Sequence, residues 1–419
     1  MKVFLVTFGS HGDVHPIISI GRVLQEQGHQ VLVFVQPYFC HDVEQAGLPV
    51  HPIAKEIDIE EFLKHPDNQY PRKAATRYRK VLFKVMPLIV RDLRFMVERE
   101  RPDVIVSLLP CFGVQWVCEK FSVPHISVAL APSWWPSRHE LISMELPLAQ
   151  RIAERITYGL SVRLAALTAW MRNFQINRMR KAVGLSPEKT SNVLNNKETY
   201  LGLWSSAYRP PTLDEPANSQ ICGFPFYDGQ STIEENSTLW DFVESGTPPI
   251  VFTLGTTAVH LSSNFYTIAA QTCEQLGRRG VLLIGHSGKR PNNLPENIFT
   301  FSYIPLSELL PHACAVVHHG GIGCVAQSLR AGCPAVVVPH AYDQFDNAQR
   351  VTRLGVGVTV KRKGLTTKHL ADALRYLLGN TTVAQHCKEI SERVSKENGA
   401  LVAAEIMLRI AKENRTIVA

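Results

Sequence analysis

The chain has 419 residues, of which 45% are hydrophobic and 19% are charged, and its formal net charge is +7. This length favours two domains, and this composition is typical of a folded globular protein. The charge is mild and forms no dense Lys/Arg tract, which argues against nucleic-acid binding. The nine cysteines include no CxxC pair, which predicts reduced thiols in a cytoplasmic protein and no zinc site. Neither a signal peptide nor a membrane span is predicted.

The chain begins with a strand, a loop, a helix and a second strand. VFLVTF (3–8) is a short apolar run typical of a buried parallel strand. The loop GSHGDVHP follows, then a helical pattern that ends at Gly28, then the strand HQVLVFV. Further strands are predicted at 103–109 and 125–130, with a helical segment between them. This order predicts βαβ units and a parallel sheet.

Two charged segments with apolar stripes, 55–100 and 137–197, are predicted to be helical. The second includes a basic amphipathic stretch. Contact with a membrane surface and packing over the first domain are both open for this stretch, and packing is the simpler interpretation. The protein is therefore expected in the cytoplasm, with peripheral contact to the inner face of the membrane as an option.

Residues 209–249 are rich in Pro, Gly and Ser, and apart from a short helix at LWDFV they predict a connection between domains. A second alternation follows, with strands at PIVFTLG, VLLIG, FTFSY, CAVVHH and PAVVVP and a helical tail from Thr366. The predicted fold is α/β, with two Rossmann-like, doubly wound parallel sheets facing each other across a cleft. The predicted divisions are a first domain 1–222, a linker 223–248, a second domain 249–400 and a C-terminal helix 401–419 that packs back on the first domain.

The stretch HHGGIGC (318–324) is a Gly-rich turn that opens a helix. Its backbone N–H groups lie at the positive end of the helix dipole and suit a phosphate or diphosphate. Asp343 and Gln344 follow the next strand and could hold hydroxyl groups, whereas Asn347 is expected on the helix surface. A phosphate site beside a polyol site outlines a nucleotide-sugar site.

Three motifs occur in order over nearly the whole chain: GSxGDVxP, then GFPxxDG, then HxGGIG followed by DQFDNA. Together they resemble the GT-B glycosyltransferases of family 1, which includes plant and bacterial UDP-glycosyltransferases, and especially the rhamnolipid-type rhamnosyltransferases. The resemblance implies an N-terminal acceptor domain and a C-terminal nucleotide-sugar domain. It also implies inverting transfer of a hexose without metal or cofactor, since the UDP-sugar or dTDP-sugar is a substrate.

The resemblance assigns most donor contacts to the second domain. His319 would bind the diphosphate, whereas His318 is expected to point into the core. Tyr303 would stack on the base, and the backbone of Ile304 would face the base edge. The other donor contacts that it implies are Gly12, Gly255, Thr256, Thr257, Gly321, Ile322, Gly323, Cys324, Gln327, Asp343 and Gln344.

Some of these positions depart from the family or allow a simpler role. Cys324 stands where relatives often have Thr or Ser, and Gln327 stands where many have a Glu that binds the ribose. Thr256 and Thr257 could form a plain turn. Asp343 could cap the helix that follows it, alone or in addition to binding sugar.

The resemblance also places a base in the first loop. Asp13 stands where many relatives have a His, and His11 and His15 flank it. Relatives have an Asp in segment 107–111 that orients the His, but this segment has no carboxylate here. A carboxylate base needs no such orienting partner. Asp13 is therefore the expected base, with His15 or His11 as alternatives. In a purely structural role, Asp13 would only cap the helix near Pro16.

The acceptor is expected at the first domain, where Trp134 and Trp135 could wall an apolar pocket unless one of them packs in the core. A hydrophobic small molecule or lipid is the expected acceptor, and UDP-glucose and dTDP-rhamnose are the leading donors. Two rival functions are an epimerase-like enzyme on the same fold and an inactive sugar-nucleotide binding module. The DQFDNA motif argues against the first, and the joint presence of Asp13, His319 and Asp343 argues against the second.

Overall fold

The fold is built on two parallel β-sheets, of seven and six strands. A computed structural model describes residues 1–135, 137, 139, 173–187, 198–229, 237–255, 264–285 and 290–418. Most strands are apolar and buried on both faces, as expected where helices cover a parallel sheet. The predicted α/β fold class is confirmed.

The first sheet has the strand order β3-β2-β1-β4-β5-β6-β7, and all its pairings are parallel. Its strands are β1 Lys2–Val6, β2 Gln30–Val35, β3 Val50–Pro52, β4 Val104–Leu108, β5 His125–Ala129, β6 Thr199–Gly202 and β7 Ser219–Ile221.

The second sheet has the order β10-β9-β8-β11-β12-β13 and is also parallel throughout. Its strands are β8 Ile250–Thr253, β9 Gly280–Leu283, β10 Ile298–Phe301, β11 Ala315–His318, β12 Ala335–Val337 and β13 Gly357–Thr359.

Helices cover both sheets. Those of the first half are α1 His11–Glu26, α2 Cys40–Gln45, α3 Ile59–Lys64, α4 Pro71–Glu100, α5 Val114–Phe121 and a helix at 173–182. Those of the second half are Ser237–Glu244, Phe265–Leu276, Leu306–Leu309, Ile322–Ala331, Gln344–Arg353, Thr367–Gly379, Thr381–Val394 and Gly399–Val418. Within the described ranges, no helix has the length and hydropathy needed to cross a membrane. Most of the predicted amphipathic segment 137–197 lies outside those ranges.

Four strands were not predicted from the sequence. They are β3, β6, β7 and β13, each only three or four residues long, and three of them form sheet edges. Such short segments show no clear hydrophobic period, because their pairing depends on the strand beside them.

The C-terminal helix Gly399–Val418 belongs to the core of the first sheet rather than that of the second. Ala403, Ala404 and Met407 are fully buried in that core. The chain crosses over at Gly399, where an added Cβ would lie 2.4 Å from the carbonyl oxygen of Gly223. Only a residue without a side chain fits this close approach.

Each sheet has a point where its strand order reverses, between β1 and β4 in the first and between β8 and β11 in the second. Loops that leave the carboxyl ends of strands at such points form the ligand crevice of doubly wound folds. Asp13 lies just after β1, Gly255 just after β8 and His319 just after β11. The fold therefore places these three predicted residues in segments that follow strands at the two reversal points.

Candidate active site

The carboxylate of Asp13 sits in the first turn of α1. Its Oδ2 accepts hydrogen bonds from the backbone N–H of Ser10 at 2.7 Å and from the Ser10 hydroxyl at 3.0 Å. Asp13 is thus the third residue of α1 and completes a capping box with the N-cap Ser10, whereas the helix start expected near Pro16 is wrong because α1 begins at His11. Oδ1 accepts no hydrogen bond from the part of the chain that the structure describes. Burial raises the pKa of Asp13 above its ordinary value, and the Ser10 hydrogen bonds only partly oppose this.

Gly9 makes room for this carboxylate. Its φ is +149°, and an added Cβ would lie 2.2 Å from Oδ2 of Asp13. We expect Gly9→Ala to displace Asp13 and to lower kcat at least about tenfold, with a stability loss of about 1 kcal/mol or more from the unfavourable φ. Steady-state kinetics and thermal unfolding would measure both effects. Gly379→Ala, where no atom lies within 4 Å of the added Cβ, is the matched control, and equal kinetics for the two variants would contradict the prediction.

Both alternative bases lie beside Asp13. His11 Nε2 is 3.2 Å from Asp42 Oδ2, so this His has the carboxylate partner that segment 107–111 lacks. His15 packs against the ring of Tyr227, with the ring centroids 5.3 Å apart. Burial lowers the pKa of His15 to about 4, and the charge of His11 contributes a smaller lowering. Sequence analysis missed the His11–Asp42 pair, because nothing in a linear motif shows that α2 lies against the start of α1.

The imidazole of His319 is held between two glycines. An added Cβ would lie 2.5 Å from the ring at Gly255, whose φ is +62°, and 2.5 Å from Nε2 at Gly321. Burial, with smaller effects from His318 and His340, lowers the pKa of His319 well below its ordinary value. The ring is therefore neutral and can donate one N–H, and its buried Nδ1 has no protein partner among the described residues.

His318 has the predicted inward orientation. It is fully buried, and its Nδ1 accepts a hydrogen bond from the N–H of Gly320 at 2.9 Å.

The helix Ile322–Ala331 begins directly after His319, with Gly321 as its N-cap. The first N–H groups of a helix have no intrahelical acceptor, and Gly323 is exposed with open space around its Cα. Burial raises the pKa of the Cys324 thiol to about 12, so the side chain is a weak neutral donor. This geometry can accept an anion at the start of the helix, and we call it the His319 cradle. Thr256 and Thr257 lie outside the described residues.

The loop before the helix Gln344–Arg353 holds Asp343 and Gln344. Asp343 Oδ2 accepts a hydrogen bond from Asn347 Nδ2 at 2.8 Å and makes no side-chain cap bond. Burial raises the pKa of Asp343 to about 7, and the charge of Asp13 contributes to the shift. The charge of Asp13, from the first half of the chain, therefore affects the ionisation of Asp343 in the second half.

The hydrogen bonds of this segment limit the role predicted for Gln344 and correct the one predicted for Asn347. Gln344 Oε1 accepts from the N–H groups of His340 and Ala341 at 2.8 and 2.9 Å, so only its amide NH₂ group can face a ligand. Asn347 is fully buried instead of lying on the helix surface. It donates to the carbonyl of Gly320 and accepts from Tyr208, because the loop after β11 packs directly on this helix.

The residues expected at the nucleoside differ in exposure and in partners. Tyr303 exposes 48% of its surface, whereas the Ile304 side chain is buried, so only the backbone of Ile304 can face a base. Gln327 donates through Nε2 to Asp228 at 3.1 Å, and Arg330 pairs with the same carboxylate at 2.8 Å. Asp228 thus places a carboxylate beside Gln327, where the chain lacks the Glu of many relatives.

The two tryptophans differ in environment. Trp135 exposes only 2% of its surface and packs edge-on against Trp204 at 4.8 Å, whereas Trp134 is half-buried. This geometry favours the packing interpretation for Trp135, because it leaves that ring no free face for an acceptor.

Comparison with known proteins agrees with this architecture. Residues 3–127 match the glycosyltransferase family 28 N-terminal domain, and residues 281–408 match the erythromycin biosynthesis protein CIII-like C-terminal domain. A sterol 3-beta-glucosyltransferase of Arabidopsis thaliana is 24% identical over 98% of this chain and 68% of its own length. The O-mycaminosyltylonolide 6-deoxyallosyltransferase of Streptomyces fradiae is 27% identical over 99% of both chains. The glycosyltransferase VinC, solved with dTDP, has a TM-score of 0.73 at 18% identity and covers 99% of this chain and 100% of its own.

The two parallel sheets and the two matched domains define an α/β glycosyltransferase of the GT-B type. Within that class, the first half of the chain matches the family 28 N-terminal domain and the second half matches the EryCIII-like C-terminal domain.

Proposed function

We propose that the protein transfers a hexose, with inversion and without a metal, from a nucleoside diphosphate sugar to a hydroxyl of a hydrophobic acceptor. The observation that carries this proposal is Asn347, which donates hydrogen bonds both to Asp343 and to the carbonyl of Gly320 beside His319, together with the effect of the Asp13 charge on the pKa of Asp343. In the proposed site, Asp13 would be the base, Asp343 would bind sugar hydroxyls and the His319 cradle would bind the diphosphate.

In the proposed reaction, the acceptor oxygen forms the new bond to the anomeric carbon while its proton passes to Asp13. A raised pKa suits Asp13 to this task, because a base acts best when its pKa approaches the working pH. The bond between the anomeric carbon and the β-phosphate oxygen breaks, and the nucleoside diphosphate leaves. The N–H of His319 and the first N–H groups of the helix Ile322–Ala331 would stabilise the charge that develops on it.

We propose UDP-glucose or dTDP-rhamnose as donor and a sterol, phenol or lipid alcohol as acceptor. Relatives named for sterol glucosylation and for deoxysugar transfer support both donors, and the half-buried Trp134 offers an apolar contact. The test is release of nucleoside diphosphate from UDP-glucose, UDP-galactose, UDP-GlcNAc and dTDP-rhamnose with cholesterol, 4-nitrophenol and 3-hydroxydecanoic acid. No release from any donor, with or without acceptor, would overturn the proposal.

The pKa of Asp343 predicts a pH-dependent affinity for the donor. Its value of about 7 means that the carboxylate gains its charge as the pH rises from about 6 to 8. A charged acceptor strengthens a hydrogen bond from a sugar hydroxyl, so we expect donor affinity to rise up to about tenfold over this range. Calorimetry would measure Kd for UDP-glucose and dTDP-rhamnose. Asp343→Asn should bind with a flat pH profile, and equal slopes for the two proteins would refute the assignment.

A further inference from the structure

Two tyrosines meet between the two halves of the molecule. Tyr78 lies on α4, which packs in the core of the first sheet, and Tyr342 lies in the loop that follows β12 of the second. Their ring centroids are 5.8 Å apart at an interplanar angle of 63°. Tyr78 is half-buried, whereas Tyr342 exposes 37% of its surface. The contact therefore joins the two sides of the crevice and leaves ring surface free.

The backbone of Tyr342 is in an unusual conformation. Its φ is +57°, in the left-handed region that L side chains rarely adopt. The turn is held at this point by Gln344, whose Oε1 binds the N–H groups of His340 and Ala341. A large ring at a position that suits glycine is a strained choice, and such strain concentrates at functional sites.

Tyr342 directly precedes Asp343 in the chain, and Tyr78 packs against the Tyr342 ring. Burial raises the pKa of Tyr78 well above its ordinary value, and Asp13, Cys111, Tyr342 and Asp343 add to the shift. Burial likewise raises the pKa of Tyr342 to about 12, with an added effect of Asp13. Both side chains are therefore neutral near the two carboxylates. The Tyr78 hydroxyl makes no hydrogen bond to any residue that the structure describes.

We propose that Tyr78 and Tyr342 form an aromatic wall over the reaction centre that positions the acceptor and excludes water from the space between Asp13 and Asp343. This inference rests on the proposed glycosyl transfer. A donor held there is also open to hydrolysis: a water oxygen would bond to the anomeric carbon, its proton would pass to Asp13, and the nucleoside diphosphate would leave. Two rings across the crevice leave space for an apolar acceptor and disfavour water.

The wall is tested by the partition of the donor between transfer and hydrolysis. UDP-glucose and dTDP-rhamnose serve as donors, with cholesterol and 4-nitrophenol as acceptors, and both sugar product and free sugar are measured. In Tyr342→Gly and Tyr78→Leu we expect the ratio of hydrolysis to transfer and the acceptor KM to rise about two- to tenfold. Tyr342→Phe and Tyr78→Phe keep the rings and should resemble the wild type. Tyr376→Leu removes an exposed ring from the helix Thr367–Gly379 and is the matched control.

Damage to the fold is separated from loss of the wall by thermal unfolding. Glycine relieves the positive φ of Tyr342, so Tyr342→Gly should melt no lower than the wild type while its partition ratio changes. If the wild type is active and both Tyr342→Gly and Tyr78→Leu keep its ratio of hydrolysis to transfer and its acceptor KM, the proposed wall is wrong and the proposed function stands. A wild type that releases no nucleotide from either donor would overturn the proposed function and the wall with it.

Discussion

Replacing Asp13 with Asn should lower kcat about 10²–10⁴-fold while leaving the Kd for nucleoside diphosphate nearly unchanged. The amide oxygen of Asn can still accept the two hydrogen bonds from Ser10 that fix the start of α1. It cannot take a proton from the acceptor hydroxyl. The substitution therefore separates the two roles of Asp13, since it keeps the cap and removes the base. Turnover of the donor and calorimetric binding of the diphosphate would measure the two effects.

The histidines beside Asp13 provide the control for this assignment. His11 has a carboxylate partner in Asp42, so a His–Asp base is the specific rival. We expect His11→Gln and Asp42→Asn to reduce kcat less than about tenfold, because neither changes Oδ1 of Asp13. A fall in His11→Gln as large as that in Asp13→Asn would transfer the role of base to the His11–Asp42 pair. Normal turnover in Asp13→Asn would reject Asp13 outright.

The parts of the fold that could be predicted are those that depend on local sequence patterns. The apolar runs of β1, β2, β4 and β5 are buried on both faces and announce a parallel sheet. The Gly-rich turn at 318–324 announces a helix N-terminus open to an anion. These signals depend on neighbours in sequence, so a single chain is enough to detect them.

The contacts across the chain could not be predicted in this way. Asn347 appears polar and helical in sequence, and its burial follows only from the packing of the Gly320 loop against its helix. Asp228 meets Gln327 from 99 positions away, and Tyr78 meets Tyr342 from 264 positions away (342 minus 78). No spacing rule covers such pairs. They arise because tertiary packing brings segments that are distant in the sequence into contact.

Replacing His319 with Ala should lower kcat about 10²–10³-fold and also weaken binding of the nucleoside diphosphate. The glycines at 255 and 321 leave space for this ring and for little else, so the chain fixes one neutral N–H at the start of the helix Ile322–Ala331. A donor fixed before the reaction is most effective where charge develops, here on the departing diphosphate. His319→Ala should therefore lower kcat by a larger factor than it raises the Kd for the nucleoside diphosphate.

Two further variants distinguish this role from simple packing. His319→Gln keeps an N–H donor in the same space, and we expect it to recover part of the lost kcat. His386→Ala removes a half-buried imidazole that lies against Gly355, away from the crevice, and should change stability without changing kcat/KM for the donor. If His319→Ala and His386→Ala had equal kinetics, the ring of His319 would be a packing element, and the leaving group would be stabilised by the helix N–H groups alone. A partial recovery of kcat in His319→Gln, together with an unchanged kcat/KM in His386→Ala, would therefore assign the hydrogen-bond donor to His319.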